Sequence, residues 1–117
     1  MAGFVDCGES LEAAIKREVA EEVGLEVQSV SAVGQSQHWP FPNLGSIMLG
    51  CLAKVKEENV NLDTEEISEA RWFTLEEMKE ALKSSKERNL DYVIPPRAAL
   101  AHRLIRQWVE SKTKSKL

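Results

Sequence analysis

Glu18, Glu21 and Glu22 lie within five positions of one another, in a segment whose apolar residues recur at helical spacing. Each helical residue advances roughly 100° round the axis. With Leu11 at zero, Ile15 falls at roughly 40°, Val19 at roughly 80° and Ala14 at roughly 300°, which defines an apolar stripe. Glu18 at roughly 340° and Glu22 at roughly 20° interrupt that stripe, and Glu21 at roughly 280° flanks it. A plain surface helix would carry its acids on the opposite face. Carboxylates one turn apart repel, and burying them unpaired raises their pKa or costs several kcal/mol. A hard divalent cation, Mg2+ or Mn2+, would neutralise such an oxygen-only set. Two other readings stay open: Arg17 or Lys16 compensates one acid, or a wider stripe leaves the glutamates on its rim.

The elements that position these residues are legible on either side. Ser10 is placed to cap a helix over 11–23, Glu12 sits in its first turn, and Gly24 stands where a left-handed C-cap belongs. Strands are expected over 25–37 and 46–56, the second reading as buried on both faces. Trp39-Pro40-Phe41-Pro42 separates them, because two prolines remove ladder donors. A short strand over 67–73 precedes a helix opened by the Thr74–Glu77 capping-box pattern. After a polar connection over 85–94, Pro95-Pro96 leads into a helix over 97–111 bearing Leu100, Leu104, Ile105 and Trp108. The expected class is α/β (α+β), a layered sandwich.

At 117 residues the chain suits one domain, here 1–111, with a polar, frayed tail over 112–117. A content of 43% hydrophobic and 29% charged residues excludes intrinsic disorder. No apolar run approaches the roughly 20 residues of a membrane span, and no secretory signal opens the chain. Cys7 and Cys51 lack metal-ligand spacing and read as free thiols in a reducing compartment. Residues 1–66 hold 12 acids and 4 bases, whereas 67–117 hold 7 acids and 11 bases. That division argues against a simple nucleic-acid patch and suits cations in one region and phosphate in another. Uneven surface charge is the plain alternative.

Gly3, Glu9, Arg17-Glu18-Val19, Glu21-Glu22 and Gly24-Leu25 match the pattern G-x5-E-x7-R-E-U-x-E-E-x-G-U, with U aliphatic, at every fixed position. This resembles the box of the Nudix hydrolases, which cleave nucleoside diphosphates linked to another moiety. The resemblance implies an α/β/α sandwich with a mixed sheet and the box as loop-helix-loop. It implies attack of water on a diphosphate phosphorus, with cations offsetting charge on the phosphate oxygens. By position, Glu18 and Glu22 would be metal ligands, and Glu21 a ligand or a base toward the attacking water. Arg17 would orient a box carboxylate, Glu9 would brace the loop, and the Ala2 carbonyl would be a further ligand. Family members carry sheet strands upstream of the box and often an N-terminal domain tied to metal binding or dimerisation. The expectation is therefore a domain shortened on its N-terminal side, from a longer protein that forms a homodimer.

A second array, Ser36-Gln37-His38-Trp39-Pro40-Phe41-Pro42, resembles the S-Q-P-W-P-F-P-x-S motif of the NADH pyrophosphatase subgroup. Glu66-Ile67-Ser68-Glu69-Ala70-Arg71-Trp72-Phe73, Pro95-Pro96 and Ala101-His102-Arg103-Leu104-Ile105 also look like that subgroup. The likeness implies cleavage of NAD or NADH into AMP and nicotinamide mononucleotide, and removal of NAD caps from RNA. It makes Glu66 a metal ligand and Ala101 a substrate contact. A proline-stiffened aromatic loop of Trp39, Pro40, Phe41 and Pro42 would hold a flat ring, with Gln37 and Ser46 adding hydrogen bonds. Trp39 and Phe41 as core caps are the alternative. His38 replaces a proline of the array, bringing a titratable group to the loop, and two extra residues precede Ser46. The C-terminal Ser115-Lys116-Leu117 matches the peroxisomal import tripeptide and implies an import receptor as partner. Cytoplasmic or mitochondrial residence is the alternative location. The rivals in function are hydrolysis of another nucleoside diphosphate derivative and a non-catalytic nucleotide-binding module.

Overall fold

The computed structural model describes residues 1–39, 45–83, 92 and 94–115, with only the backbone of Val33. Its elements are α1 (Leu11–Val23), β1 (Val27–Trp39), β2 (Ser46–Val55), α2 (Leu75–Lys83) and α3 (Leu100–Lys114). The class is α+β. Among the described residues, β1 and β2 form a two-stranded sheet. The chain packs as two compact units, Met1–Ser31 with Leu52–Trp72, and Ala32–Cys51 with Phe73–Leu117.

In the first unit, α1 is fixed at both ends as its residues dictate. Ser10 accepts the Ala13 N–H at 3.1 Å, and Gly24 (φ 66°) returns its own N–H to Ala20. The inward face of α1 supplies Val19 and Val23 to a core completed by Leu25 and Val27. Ile15, Val30, Val55, Val60, Leu62 and Ala70 pack around them. Lys56 N–H closes on the Glu26 carbonyl at 3.0 Å, joining the end of β2 to the start of β1 as an antiparallel pair requires.

In the second unit, α2 opens with the capping box anticipated from Thr74 and Glu77. Glu77 Oε2 accepts the Thr74 N–H at 2.6 Å, and Thr74 Oγ1 accepts the Glu77 N–H at 3.2 Å. Met78 and Ala81 of α2 meet Val109 of α3, with Phe73, Leu82, Tyr92 and Trp108 around them. Phe73 and Tyr92 stack edge-on at 4.6 Å. On β2, a Cβ at Gly50 would lie 2.8 Å from Leu104 Cδ2 and 3.2 Å from Leu100 Cδ1, so only glycine lets α3 pack this closely.

Three expectations need correction. Residues 67–73 form no strand: Glu66 and Ile67 N–H groups both turn back to the Asp63 carbonyl. β2 is not buried on both faces; Gly50 is buried, but Ile47 is 66% and Leu49 51% exposed, because no element among the described residues covers that side. The last helix begins at Leu100, not 97, and continues to Lys114, so Lys112 and Lys114 are helical rather than frayed. Pro95 and Pro96 have no N–H to give, and the chain needs the turn closed by Ala99 N–H on the Pro96 carbonyl before α3 can start.

Candidate functional site

Arg17 is the hub of the box. Its Nε and Nη2 grip the two oxygens of Glu9 at 2.9 and 3.1 Å, the fork-on-fork geometry that suits guanidinium and carboxylate. Nη1 donates to Glu18 Oε1 at 3.0 Å and Glu21 Oε2 at 3.2 Å, and Nη2 reaches the Phe4 carbonyl at 3.0 Å. The Arg17 hydrogen bond holds the Glu9 carboxyl below its usual range, against a smaller opposing effect of burial. Glu9 Oε2 also accepts the Asp6 N–H, closing the turn at Gly8 (φ 78°). Arg17 thus fixes one oxygen each of Glu18 and Glu21 and ties the preceding loop to α1.

The carboxylates fall round α1 as their angles require: Glu22 buried, Glu18 half-buried, Glu21 exposed. Residues 1–4 pass over this face. A Cβ on Gly3 would lie 2.1 Å from Glu18 Cδ, so the bare glycine backbone is what gives that carboxylate its place. Ala2 lies between this contact and the N-terminal ammonium, whose charge acts on Glu22.

Glu22 is the anomaly. It is 6% exposed, and its Oε2 has no hydrogen-bond partner. Burial pushes its pKa up, the N-terminal ammonium opposes this, and the charges of Glu18, Glu66 and Glu21 add to the rise. Glu66 reaches this neighbourhood because the segment after β2 docks on the end of α1. Asn61 N–H bonds the Val23 carbonyl at 2.9 Å, and Asp63 N–H the Glu22 carbonyl at 3.0 Å. These fill two of the carbonyls that a helix C-terminus leaves open. Neither Asn61 nor Asp63 stood out in the sequence, because the docking uses backbone N–H groups that every residue type owns.

Among the described residues, no three His, Cys, Asp or Glu side chains are gathered closely enough to hold a metal ion. The donors still fit one. A buried carboxylate oxygen lacks a partner, like charges face it, and every group offered is oxygen. The groove lined by Lys16, Ala20, Gly24 and Val27 is unrelated, since Lys16 and Ala20 lie at roughly 140° and 180° on α1, away from the carboxylates.

The second set of expected residues belongs to the other unit. Gln37 Oε1 accepts the Leu100 N–H at 2.9 Å and so caps α3, whose own N-cap, Ala99, has no side chain able to do so. Arg103 holds Gln35 Oε1 at 3.3 Å and the Ser36 carbonyl at 2.8 Å. Ala101 is exposed one residue past the capped position, and His102 is buried with Nδ1 2.9 Å from the Pro95 carbonyl. Because that carbonyl only accepts, Nδ1 carries the proton. His38, Trp39 and Ser46 are exposed, with His38 over Gly45. Pro40, Phe41 and Pro42 lie outside the described residues, as do Lys116 and Leu117. Cys7 is exposed, Cys51 half-buried, and both are free thiols.

The chain is 45% identical, over its whole length and 35% of the relative's, to the human NAD(P)H pyrophosphatase NUDT13, mitochondrial. It is 41% identical over 93% of its length to the human NAD-capped RNA hydrolase NUDT12, covering 22% of that protein. It is 40% identical over 92% of its length to the NAD-capped RNA hydrolase NudC of Mycobacterium tuberculosis, covering 35%. The chain therefore spans about a third or less of the relatives it matches. The NUDIX domain model matches residues 1–93, which contain the Arg17 hub, the three helical glutamates and Glu66. With its box residues joined through one guanidinium on a capped helix, the chain belongs to the NUDIX domain family.

Proposed function

We propose that this chain carries the catalytic residues of an NAD(H) diphosphatase that releases AMP and nicotinamide mononucleotide, and that also removes NAD caps from RNA. The observation that carries the proposal is the buried Glu22 carboxylate, its Oε2 unpartnered and the charges of Glu18, Glu66 and Glu21 near enough to act on it. Similarity to proteins named NAD(P)H pyrophosphatase and NAD-capped RNA hydrolase supports the substrate class. Glu18, Glu22 and Glu66 would hold Mg2+ or Mn2+, with the Ala2 carbonyl and Glu21 as further donors. When bound, such a cation neutralises phosphate charge and makes water a better nucleophile.

The protein's own part is positioning. Arg17 fixes one oxygen each of Glu18 and Glu21 and so limits the directions from which their remaining oxygens act. Glu21, the most exposed of the three, is the one open to water and able to accept a proton from it. Trp39 offers an exposed ring for a flat base or nicotinamide, His38 and Ser46 are exposed as well, and Pro40, Phe41 and Pro42 are assigned to the same role from the sequence motif alone. Ala101 is exposed in the first turn of α3, whose head Gln37 caps.

Incubation with NADH and Mn2+ followed by chromatography tests this: AMP and reduced nicotinamide mononucleotide should form in equal amounts. Glu22→Gln should abolish both products while leaving the circular dichroism spectrum intact. Wild-type turnover in that variant would remove Glu22 from the mechanism. A second reading has its own support, because Arg17 already engages Glu18 and Glu21 and no three His, Cys, Asp or Glu side chains among the described residues are placed to hold a metal ion. It is a non-catalytic nucleotide-binding module, and calorimetric binding of NADH with no product would select it. Peroxisomal delivery rests on Ser115-Lys116-Leu117 alone, whereas the human relative's name supports mitochondria. Imaging the chain with and without Leu117 separates the two.

A further inference from the structure

We propose that Asp63 is a positioning residue that folds the segment 61–67 against the end of α1 and thereby sets Glu66 opposite Glu22. The proposal rests on the reading of Glu22 and Glu66 as cation ligands.

Asp63 makes bonds in three directions. Its N–H bonds the Glu22 carbonyl at 3.0 Å, placing it directly on the turn that carries Glu22. Its carbonyl accepts both Glu66 N–H at 3.2 Å and Ile67 N–H at 2.8 Å, reversing the chain there. Its carboxylate Oδ1 accepts the Glu65 N–H at 3.0 Å, the side-chain turn typical of Asp and Asn. Of these, only the last depends on the residue type. Without it, the Glu65 N–H loses its partner and the turn presenting Glu66 loses its internal brace.

Gly24 supplies the seat. A Cβ there would lie 2.9 Å from both Cβ and the carbonyl oxygen of Asn61, so the same glycine that ends α1 also admits the docking segment. The destination is a real demand rather than a surface acid cluster. Glu22 is 94% removed from solvent (6% exposed) with Oε2 unpartnered, and Glu66 is near enough for its charge to act on it. Asp63 itself is exposed, so altering its side chain leaves the core of α1 untouched.

Calorimetric titration of the full chain with Mn2+ alone tests the proposal, with Tm as a check on folding. Asp63→Ala should weaken Mn2+ binding roughly tenfold, the scale of losing an outer partner of a metal ligand. Asp63→Asn keeps an acceptor oxygen and should bind as wild type. Glu66→Gln should weaken binding at least as much as Asp63→Ala, and adding Asp63→Ala to it should cost nothing further, because the two act through one carboxylate. Wild-type affinity in Asp63→Ala, or full additivity with Glu66→Gln, would overturn the positioning role alone. Absence of Mn2+ binding by the wild-type chain, or wild-type binding by Glu66→Gln, would instead overturn the cation site and this proposal with it.

Discussion

Two residues define what the site asks of single side chains. Gly3 has no unusual backbone angle to justify glycine; its reason is the Glu18 carboxyl carbon, 2.1 Å from where a Cβ would stand. Gly3→Ala should displace that carboxylate and weaken Mn2+ binding roughly 10–100-fold, with Tm little changed; unchanged affinity would show that Glu18 is not held by this contact. Glu22 gives a stability prediction with a definite sign. Its folded pKa is raised, mainly by burial and then by Glu18, Glu66 and Glu21 against the opposing ammonium. The unfolded chain therefore loses this proton first, and the group lowers stability from about pH 4 upward until its folded pKa is passed. In chelator, Glu22→Gln should have a higher Tm than wild type at neutral pH, and the gap should close toward acid pH. Added Mn2+ should raise the wild-type Tm and leave the variant's unmoved. A variant less stable at every pH would mean that Glu22 has a partner after all.

At the level of elements, the hydrogen bond from Leu100 N–H to Gln37 Oε1 links the head of α3 to β1. Loss of a cap costs about 1 kcal/mol, so Gln37→Ala should lower Tm by roughly 4–8 °C. Gln37→Glu keeps the acceptor and adds a charge favoured at a helix N-terminus, so it should restore Tm. Recovery of Tm without recovery of the NADH KM would show that the Nε2 side of Gln37 also meets substrate. This element illustrates what the sequence could and could not say. Ser10, Gly24, Thr74 and Glu77 were legible because capping chemistry is local and residue-specific. The inward turn of Glu22 followed from helical angle alone. Gln37 as a cap for α3 was not legible, because donor and acceptor are 63 residues apart and glutamine is no customary cap. The region 67–73 carries the apolar and aromatic residues of a strand, yet it adopts no strand conformation and the turn leading into it is set by Asp63. Periodicity reports what a segment could bury, and the available partner decides whether it becomes a strand.

Over the whole molecule, charge follows the two packing units, whereas exposed apolar side chains occur in both. The unit of Met1–Ser31 and Leu52–Trp72 holds 13 acids and 5 bases, and the other holds 6 acids and 10 bases. Glu18, Glu21, Glu22 and Glu66 thus share a unit with most of the negative charge, while α3 belongs to the positive one. Ile47 and Leu49 alternate on one side of β2 and are 66% and 51% exposed, whereas Gly50, from the other side, meets Leu100 and Leu104. A strand presenting two adjacent aliphatic side chains to water is prone to self-association, which threonine would suppress while placing a strand-favouring β-branched side chain at both positions. The double variant Ile47→Thr, Leu49→Thr should bind less of a hydrophobic dye and stay soluble at higher concentration. Its Tm should shift only by what ordinary surface substitutions cost, about 0.5 kcal/mol or less each. A large fall in Tm would mean that this side is buried in solution, because deleting apolar atoms costs stability only where they had been removed from water.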